Sequence, residues 1–539
     1  MAFGGLAAQM PRSTENAGVG QTVAKSGTMT AGRLRLAELI AALSLATDLG
    51  MGQPMELALR IAALGVALGR RLGLGPADLS DIYYLALVEH IGCTSDSLEF
   101  AAFSGGDDIG YRRRAMAWPA SPPGEIVEAI VRHTGEGRPP FERARLVVGM
   151  LIHSEQRPRQ VVAAHCEAGG RLAERLGLSQ GVRRGLLQEQ ERWDGRGRPE
   201  GLAGDALCMA QRVVSVAHDA IVLMEAGRPV LQTLRSRRGH AYDPAVVDAM
   251  VEAGPPAGAG DADAWVGGLE AEPAPALTVP GAAIDRVALA LADFTDLKSP
   301  YLLGHSTRVA EVASGAADVL ACAPAEVDEV RRAALLHDLG RVGVANGIWD
   351  KRGPLTESER ERVRLHPYYT ERILARSPAL ASLAVIAGSH HENLDGSGYH
   401  RGVGATQLGR PARLVRAADC LDAMASDRPH RVALPDDGRI RELRAEVDAG
   451  RLDAEAVAAV IEASGGGRVH LRPPRPAGLS EREIEVLRLL VHGISNAEIG
   501  TRLRLSPKTV GHHVEHIYNK AGVTSRAAAA LFAMETGLI

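Results

Sequence analysis

The stretch Ser389-His390-His391-Glu392-Asn393-Leu394-Asp395-Gly396-Ser397-Gly398-Tyr399-His400 sets two adjacent histidines directly before a glycine-punctuated turn. Two neighbouring imidazoles offer two neutral nitrogen ligands, and Asp-Gly-Ser-Gly turns tightly enough to bring backbone and the ring of Tyr399 over a site. A histidine pair alone reads as a solvated helix end. The residues that flank it in the chain change that reading.

Around it lie His305, the pair His337-Asp338, His366 and Asp419, each in a context rich in Ala, Leu and Arg with apolar residues three and four apart, the pattern of buried helix faces. An imidazole or carboxylate there is costly to bury without a partner. Convergence of His305, His337, Asp338, His366, His390, His391 and Asp419 would meet that cost through metal ions. Two divalent ions fit: His305, His337, Asp338 and Asp419 around one, and His366, His390 and His391 around the other, with the Asp338 carboxylate bridging. Imidazole with carboxylate and no thiolate favours Fe or Mn over Zn, Ni or Co, and Mg is poorly matched to so many nitrogens.

The same frame occurs earlier in the chain. Leu57 stands as far before Glu89 as His305 before His337; His165 precedes Gln190 as His366 precedes His391; His218 follows Gln190 as Asp419 follows His391. The words match too, Ala86-Leu87-Val88-Glu89-His90-Ile91-Gly92 against Ala334-Leu335-Leu336-His337-Asp338-Leu339-Gly340. The first copy carries 47 extra residues between Glu89 and His165. Its chemistry differs: Leu57, Glu89, His90, Glu189, Gln190 and His218 stand where the second copy has His305, His337, Asp338, His390, His391 and Asp419. The first copy is therefore expected to keep the scaffold, hold no metal and serve as packing partner or sensor.

Residues from about 290 to 435 resemble an HD-GYP domain, the branch of the HD phosphohydrolase superfamily whose members hydrolyse cyclic di-GMP. The resemblance rests on His305-Ser306-x-Arg308-Val309, His337-Asp338-Leu339-Gly340-Arg341, Lys351-x-Gly353-Pro354-Leu355-Thr356, His366-Pro367, His390-His391-Glu392, Asp395-Gly396-x-Gly398-Tyr399, Ala418-Asp419 and Ser426-Asp427-Arg428-Pro429. The family's lysine after His-Asp is Arg341 here, and the proline of its Gly-Tyr-Pro is His400. The resemblance implies a two-metal phosphodiesterase with Asp338 and Arg341 at the catalytic centre and Arg341, Tyr399, Arg428 and Arg431 toward the substrate. Arg341 keeps the positive charge of a lysine but cannot give up a proton.

Near the C-terminus, Ser480 with Glu483 and Ser495 with Glu498 read as capping boxes. Ser506 caps a further helix, with Pro507 at its first position and Gly522 past its end. Short capped helices joined by a tight turn make a helix-turn-helix. On the Ser506-capped helix Val510, Val514 and Ile517 share a buried face. The opposite face is available to a DNA major groove, with Lys508 and Thr509 near phosphates and Gly511, His512 and Glu515 nearest the bases. The run Ser495-Asn496-x-Glu498-Ile499 to Gly522-Val523-x-Ser525-Arg526 resembles a LuxR-type DNA-binding domain. Dimerisation through the final helix after Ser525 is expected.

The expected architecture is all-α: two HD-type helical bundles, the first degenerate, and a C-terminal four-helix helix-turn-helix domain. Its divisions are a disordered tail 1–32, a degenerate HD-GYP-like domain 33–253, a linker 254–281, an HD-GYP domain 282–462, a linker 463–476 and a LuxR-type domain 477–539. A net charge of −4 builds in no global attraction to nucleic acid or membrane, so DNA binding must come from a local patch. Five scattered cysteines without a Cys-x-x-Cys point to reduced thiols in the cytosol. The most apolar early stretch, Leu34 to Leu49, contains Glu38 and Asp48 and follows a polar tail, so neither signal peptide nor membrane span is expected. Two functional readings remain: a cytosolic regulator that binds double-stranded DNA and hydrolyses a cyclic dinucleotide or related phosphoester, or a transcription factor whose HD-GYP domain senses a nucleotide or metal with little or no turnover.

Overall fold

A computed structural model describes residues 33–116, 123–135, 139–152, 156–256, 263–281, 283–471, 476–536 and 538–539; the expected tail 1–32 lies outside the described residues. The described residues are mainly helical, and the described strands are two three-residue segments, Arg33–Arg35 and Thr278–Pro280, paired antiparallel.

The duplicated frame is a duplicated set of helices. Leu57–Arg71 and His305–Val319 are both 15 residues long, and each starts after a residue in the left-handed conformation, Glu56 (φ 76°) and Gly304 (φ 72°). Pro76–Val88 and Pro324–Leu336 are both 13 residues long and begin with a proline, whose missing N–H is harmless in a first turn. Glu89 and His337 close this second helix of each copy. His218 and Asp419 lie within Met209–Glu225 and Arg410–Ala425. Gly92 and Gly340 show why the shared word ends in glycine. A Cβ on Gly340 would lie 2.0 Å from the carbonyl oxygen of His366, and one on Gly92 2.3 Å from that of His165. Only glycine lets the His366 and His165 helices come so close.

The helix Leu36–Gly50 is apolar on every side and buried along nearly its whole length. That pattern belongs to a core helix. It packs on Pro76–Val88 of the first copy and on the turn Leu339–Gly343 and helix His366–Ala375 of the second, so one continuous apolar core joins the two copies. Within the first copy's insertion, buried Asp108 crosses to the second copy. It pairs with Lys298 Nζ at 3.2 Å and accepts from Asn346 N–H at 2.7 Å, while Gly347 N–H donates to Gly106 O at 2.9 Å.

The stretch 254–281, expected as a linker, is partly structured and laid against the first copy. Its helix Ala264–Glu270 buries Trp265 and Leu269, one turn apart, against Leu57–Arg71, and its strand pairs with Arg33–Arg35. Glu272 ties it down, accepting from Arg35 Nε and Tyr84 Oη, each at 2.6 Å. Ala, Gly and Pro content pointed to a spacer because the anchoring side chains are few.

The C-terminal module has four helices, Glu481–Val491, Asn496–Leu503, Pro507–Ala521 and Arg526–Glu535, around its own apolar core. Both capping boxes form, Ser506 caps Pro507–Ala521, and Gly522 follows it at φ 65°. Val510 and Ile517 are fully buried and Val514 packs against them. Glu483 is buried; it accepts from Ser480 N–H at 2.6 Å and Lys520 Nζ at 2.7 Å. Burial opposes its charge, but these donors outweigh it and bring the carboxyl from 4.5 down to about 2. A depressed pKa contributes stability that is complete above 4.5 and lost as pH falls toward 2. In the isolated module, Glu483→Gln should lower stability near neutrality by about 1 kcal/mol and flatten the pH dependence of urea unfolding below pH 4.5. An unchanged profile would count against the Glu483–Lys520 pair.

Candidate metal centre and nucleic-acid interface

Helix ends build the centre. The last carbonyls of a helix lack partners within it, and three histidines use them: the Nδ1–H of His337, His366 and His390 donates to Ala334 O, Val363 O and Ala387 O, each at 2.6 Å. A carbonyl only accepts, so each of these Nδ1 atoms carries the hydrogen and each Nε2 presents a lone pair to the interior. His305, at the first position of its helix, is set differently: its Nδ1 lies 2.6 Å from Asp422 Oδ2, and Asp422 is also held by Arg308 Nε at 2.7 Å.

The four Nε2 atoms converge on Asp338. Its Oδ2 lies 3.3 Å from His305 Nε2 and 3.2 Å from His337 Nε2; its Oδ1 lies 3.5 Å from both His366 Nε2 and His390 Nε2. Asp419 Oδ1 joins the first pair, 3.4 Å from His305 and 3.8 Å from His337. His391 completes the second, its ring 4.3 Å from that of His390 and 4.9 Å from that of His366, with Tyr399 stacked on its other side at 4.8 Å. All seven predicted residues are thus brought together.

The group is electrostatically incomplete. His305 Nε2, His337 Nε2 and both oxygens of Asp338 are buried without a well-aligned hydrogen bond, although Arg341 Nε lies 2.6 Å from Asp338 Oδ2. Burial opposes charge on His305, yet Asp338, Asp419 and Asp422 raise it to about 10. Burial also works against the charge of Asp338, and Arg341 with His337 and His305 holds it well below the usual carboxylate range. Lone pairs and carboxylates turned inward in a dry core need positive charge among them. The donor set of imidazole and carboxylate fits a divalent transition metal.

Arg341 lies with Nε 2.6 Å from Asp338 Oδ2, its guanidinium over the Trp349 ring at 4.6 Å. Arg428 is half-buried and donates to Tyr301 O at 3.3 Å; burial, with the neighbouring charge of Arg341, lowers it to about 10. Arg431 is placed differently from the sequence expectation. Its guanidinium caps Ala423 O, at the end of helix Arg410–Ala425, and the carbonyl of Val432, so it staples the loop. The orphan carbonyls of that helix end compete for it. Tyr399 is mostly buried, its hydroxyl pushed up to about 12 by burial. His400 reaches Glu371 at 3.3 Å, beside an Arg401–Glu371 pair.

Sequence reasoning missed Asp422 and Trp349. Asp422 was legible as the residue one helical turn past Asp419 on the same face. Trp349, which packs on both Arg341 and the ring of His366, gave no signal beyond the scarcity of tryptophan.

In the first copy the counterpart of the His366 half is an ion-pair network. His165 Nδ1 lies 2.9 Å from Asp96 Oδ2 and its Nε2 3.1 Å from Glu189 Oε2, and Arg112 also pairs with Asp96. Burial disfavours a charged His165, but Glu189 and Asp96 raise it to about 10.

On helix Pro507–Ala521, Lys508, Thr509, His512 and Glu515 are exposed and Gly511 is partly so. Thr509 also bonds Ser506 Oγ at 2.8 Å, and His512 Nδ1 lies 3.9 Å from Glu515 Oε2.

Helix ends that turn five histidines and two aspartates onto one buried centre define a class, the helical metal-dependent HD phosphohydrolases. Comparison with known proteins agrees. The family described as HD domain matches residues 153–246 and 290–456, and the family of bacterial regulatory proteins, luxR family, matches residues 477–533. The 3'3'-cGAMP-specific phosphodiesterase 3 of Vibrio cholerae is 33% identical over 415 residues, 75% of this chain and 89% of that protein. A cyclic di-GMP phosphodiesterase of Thermotoga maritima is 36% identical over 155 residues, 28% of this chain and 41% of its own. The crystal structure of the V. cholerae cyclic GMP-AMP specific phosphodiesterase V-cGAP3 superposes with a TM-score of 0.54 at 28% identity, covering 80% of this chain and 98% of that one. The chain belongs to the HD-domain phosphodiesterases and carries a luxR-family domain at its C-terminal end.

Asp422 tests how the centre is oriented. Removing a carboxylate that holds a ligating imidazole typically costs about 10–100-fold in metal affinity. Asp422→Ala should weaken metal binding by about that factor with helical circular dichroism unchanged; full retention of affinity would mean that His305 is positioned by packing alone.

Proposed function

We propose that this protein is a cytosolic transcription regulator that hydrolyses a 3',3'-linked cyclic dinucleotide and binds double-stranded DNA as a homodimer. The observation that carries the enzymatic part is Asp338, whose two oxygens each face two imidazole Nε2 atoms. In this reading His305, His337, Asp338 and Asp419 would hold one divalent ion, and His366, His390 and His391, with Asp338 between the two groups, would hold a second, Fe or Mn. Bound there, the pair supplies an activated water and neutralises a phosphodiester.

The chain's own residues do the rest. The Nδ1 bonds to helix-end carbonyls keep the imidazoles aimed. Arg341, held flat on Trp349, and Arg428 bind the phosphate oxygens; Arg341 keeps its charge at any working pH and donates no proton to the leaving oxygen. Tyr399, stacked on His391, walls the site on that side. Arg431 shapes the loop that carries Arg428. A cyclic dinucleotide is supported by the relatives, among them a protein matched over 75% of this chain and named for 3'3'-cGAMP. The DNA-binding part rests on the luxR-family match and the exposed face of Pro507–Ala521. Leu531 and Met534, exposed on the final helix, supply an apolar surface for pairing of two copies.

Purified full-length protein with Mn or Fe(II) should open 3'3'-cGAMP or cyclic di-GMP to the linear dinucleotide, and Asp338→Asn should abolish turnover. Tight nucleotide binding without product in either metal would favour a sensing module instead. On DNA, Lys508→Ala should weaken all sites alike and reduce the log–log salt slope by about one. Glu515→Ala should relax sequence preference at little cost in total affinity, because a carboxylate in the groove is useful where it accepts from a cytosine amine. Equal losses on selected and scrambled DNA would instead assign Glu515 to its pairing with His512.

A further inference from the structure

Leu57 and Gln190 in place of histidine led to the expectation that the first copy holds no metal, and one half of that copy is the His165–Glu189–Asp96–Arg112 network. The other half is arranged differently. Glu89, His90 and His218 are buried together, with one donor atom from each lying within 4.8 Å of the others. They occupy the places of His337, Asp338 and Asp419 in the second copy, with nitrogen and oxygen exchanged at each position, so one imidazole and two carboxylates there become two imidazoles and one carboxylate here.

The hydrogen-bond pattern points to a cation among them. His218 Nδ1 lies 2.7 Å from Asp219 Oδ1, and Asp219 is fixed in turn by Tyr242 Oη at 2.6 Å. His90 Nδ1 faces Glu189 Oε1 at 3.6 Å. Carboxylates accept only, so His218 Nδ1 carries hydrogen, while His90 Nδ1 is turned to a carboxylate beyond bonding distance. The two Nε2 atoms face each other at 3.3 Å. Beside them, Glu89 Oε2 is buried and has no hydrogen-bond partner, and neither has His90 Nδ1 at its long distance from Glu189. Two imidazole nitrogens bound to one ion at about 2.0–2.1 Å in tetrahedral geometry stand about 3.3 Å apart. A carboxylate behind a ligating imidazole is the usual outer support of such ions, and Asp219 gives His218 what Asp422 gives His305 in the second copy.

We infer that Glu89, His90 and His218 form a site for one divalent transition-metal ion such as zinc. Two imidazoles and one carboxylate suit zinc with a fourth place left for water, and Leu57 covers the position from which His305 reaches in the second copy. The ion fastens the end of helix Pro76–Val88 to helix Met209–Glu225, the same two elements that the second copy joins through His337 and Asp419. The inference stands apart from the proposed activity of the second copy.

The test is zinc content of the full chain after loading and removal of excess, by elemental analysis. Two variants are compared with the parent: His90→Gln/His218→Gln, and His337→Gln/His366→Gln/His390→Gln, which disables the second copy whatever number of ions that copy holds. The site predicts one ion fewer in the first variant and one ion retained in the second. It also predicts that zinc raises the Tm of the second variant, and that cobalt(II) bound there shows the visible absorption of a low-coordinate N,O site. Zinc equal to the parent in a folded first variant would overturn the inference, as would a second variant that binds none; a proton shared between the imidazoles would then account for their approach. Should the first variant not fold, the second alone decides.

Discussion

A carboxylate buried between four imidazole nitrogens is the constraint on which the second copy is built. Each oxygen of Asp338 meets two imidazole Nε2 atoms, and Asp419 adds a second negative charge. In a dry interior such a group is unstable unless cations enter it, and Arg341 supplies only part of that charge from one side. The surrounding helices are arranged to keep the repulsive group aimed inward. Their terminal carbonyls fix three imidazoles by Nδ1, and Asp422 fixes the fourth. The same carbonyls would otherwise need partners of their own, so closing the helices and orienting the ligands are one operation.

Duplication places this device beside a relative in which it has been rewritten. The glycines that allow close helix approach, the paired helix lengths and the proline starts are common to both copies. What differs is how buried charge is satisfied. One half of the first copy neutralises itself with internal ion pairs, and the other keeps three donors facing one another. The copies share the core through Leu36–Gly50, and Asp108 bonds the segment immediately after Arg341 and before Trp349. A shift in the first copy's insertion would therefore act directly on the backbone that carries Arg341 and Trp349 of the second.

The C-terminal module is organised on other terms. Its core is self-contained, two of its helices are started by capping boxes and two by serine caps, and its exposed helix face carries Lys508 beside Glu515. One basic residue next to one acidic residue gives little non-specific attraction to phosphate, which is consistent with pairing of two modules on DNA.

By itself the sequence determined the elements and the residues that the second copy gathers at its centre. Helical periodicity, capping pairs, proline starts and glycine stops are local, so Ser480 with Glu483, Ser495 with Glu498, and Pro507 to Gly522 were readable directly. His305, His337, Asp338, His366, His390, His391 and Asp419 were readable because their residue types are unfavourable in apolar helices unless they meet. Tertiary structure decided what depends on direction. Arg431 turns to a helix-end carbonyl instead of the site because that carbonyl lacks any other partner. Trp349 supports Arg341 from a short helix whose sequence carries no periodic signal. The stretch 254–281 becomes part of the first copy because Trp265 and Leu269 find an apolar face one helix away. Glu89, His90 and His218 read as loss because the exchange was judged position by position, whereas metal binding depends on the set of donors that the fold gathers at one point.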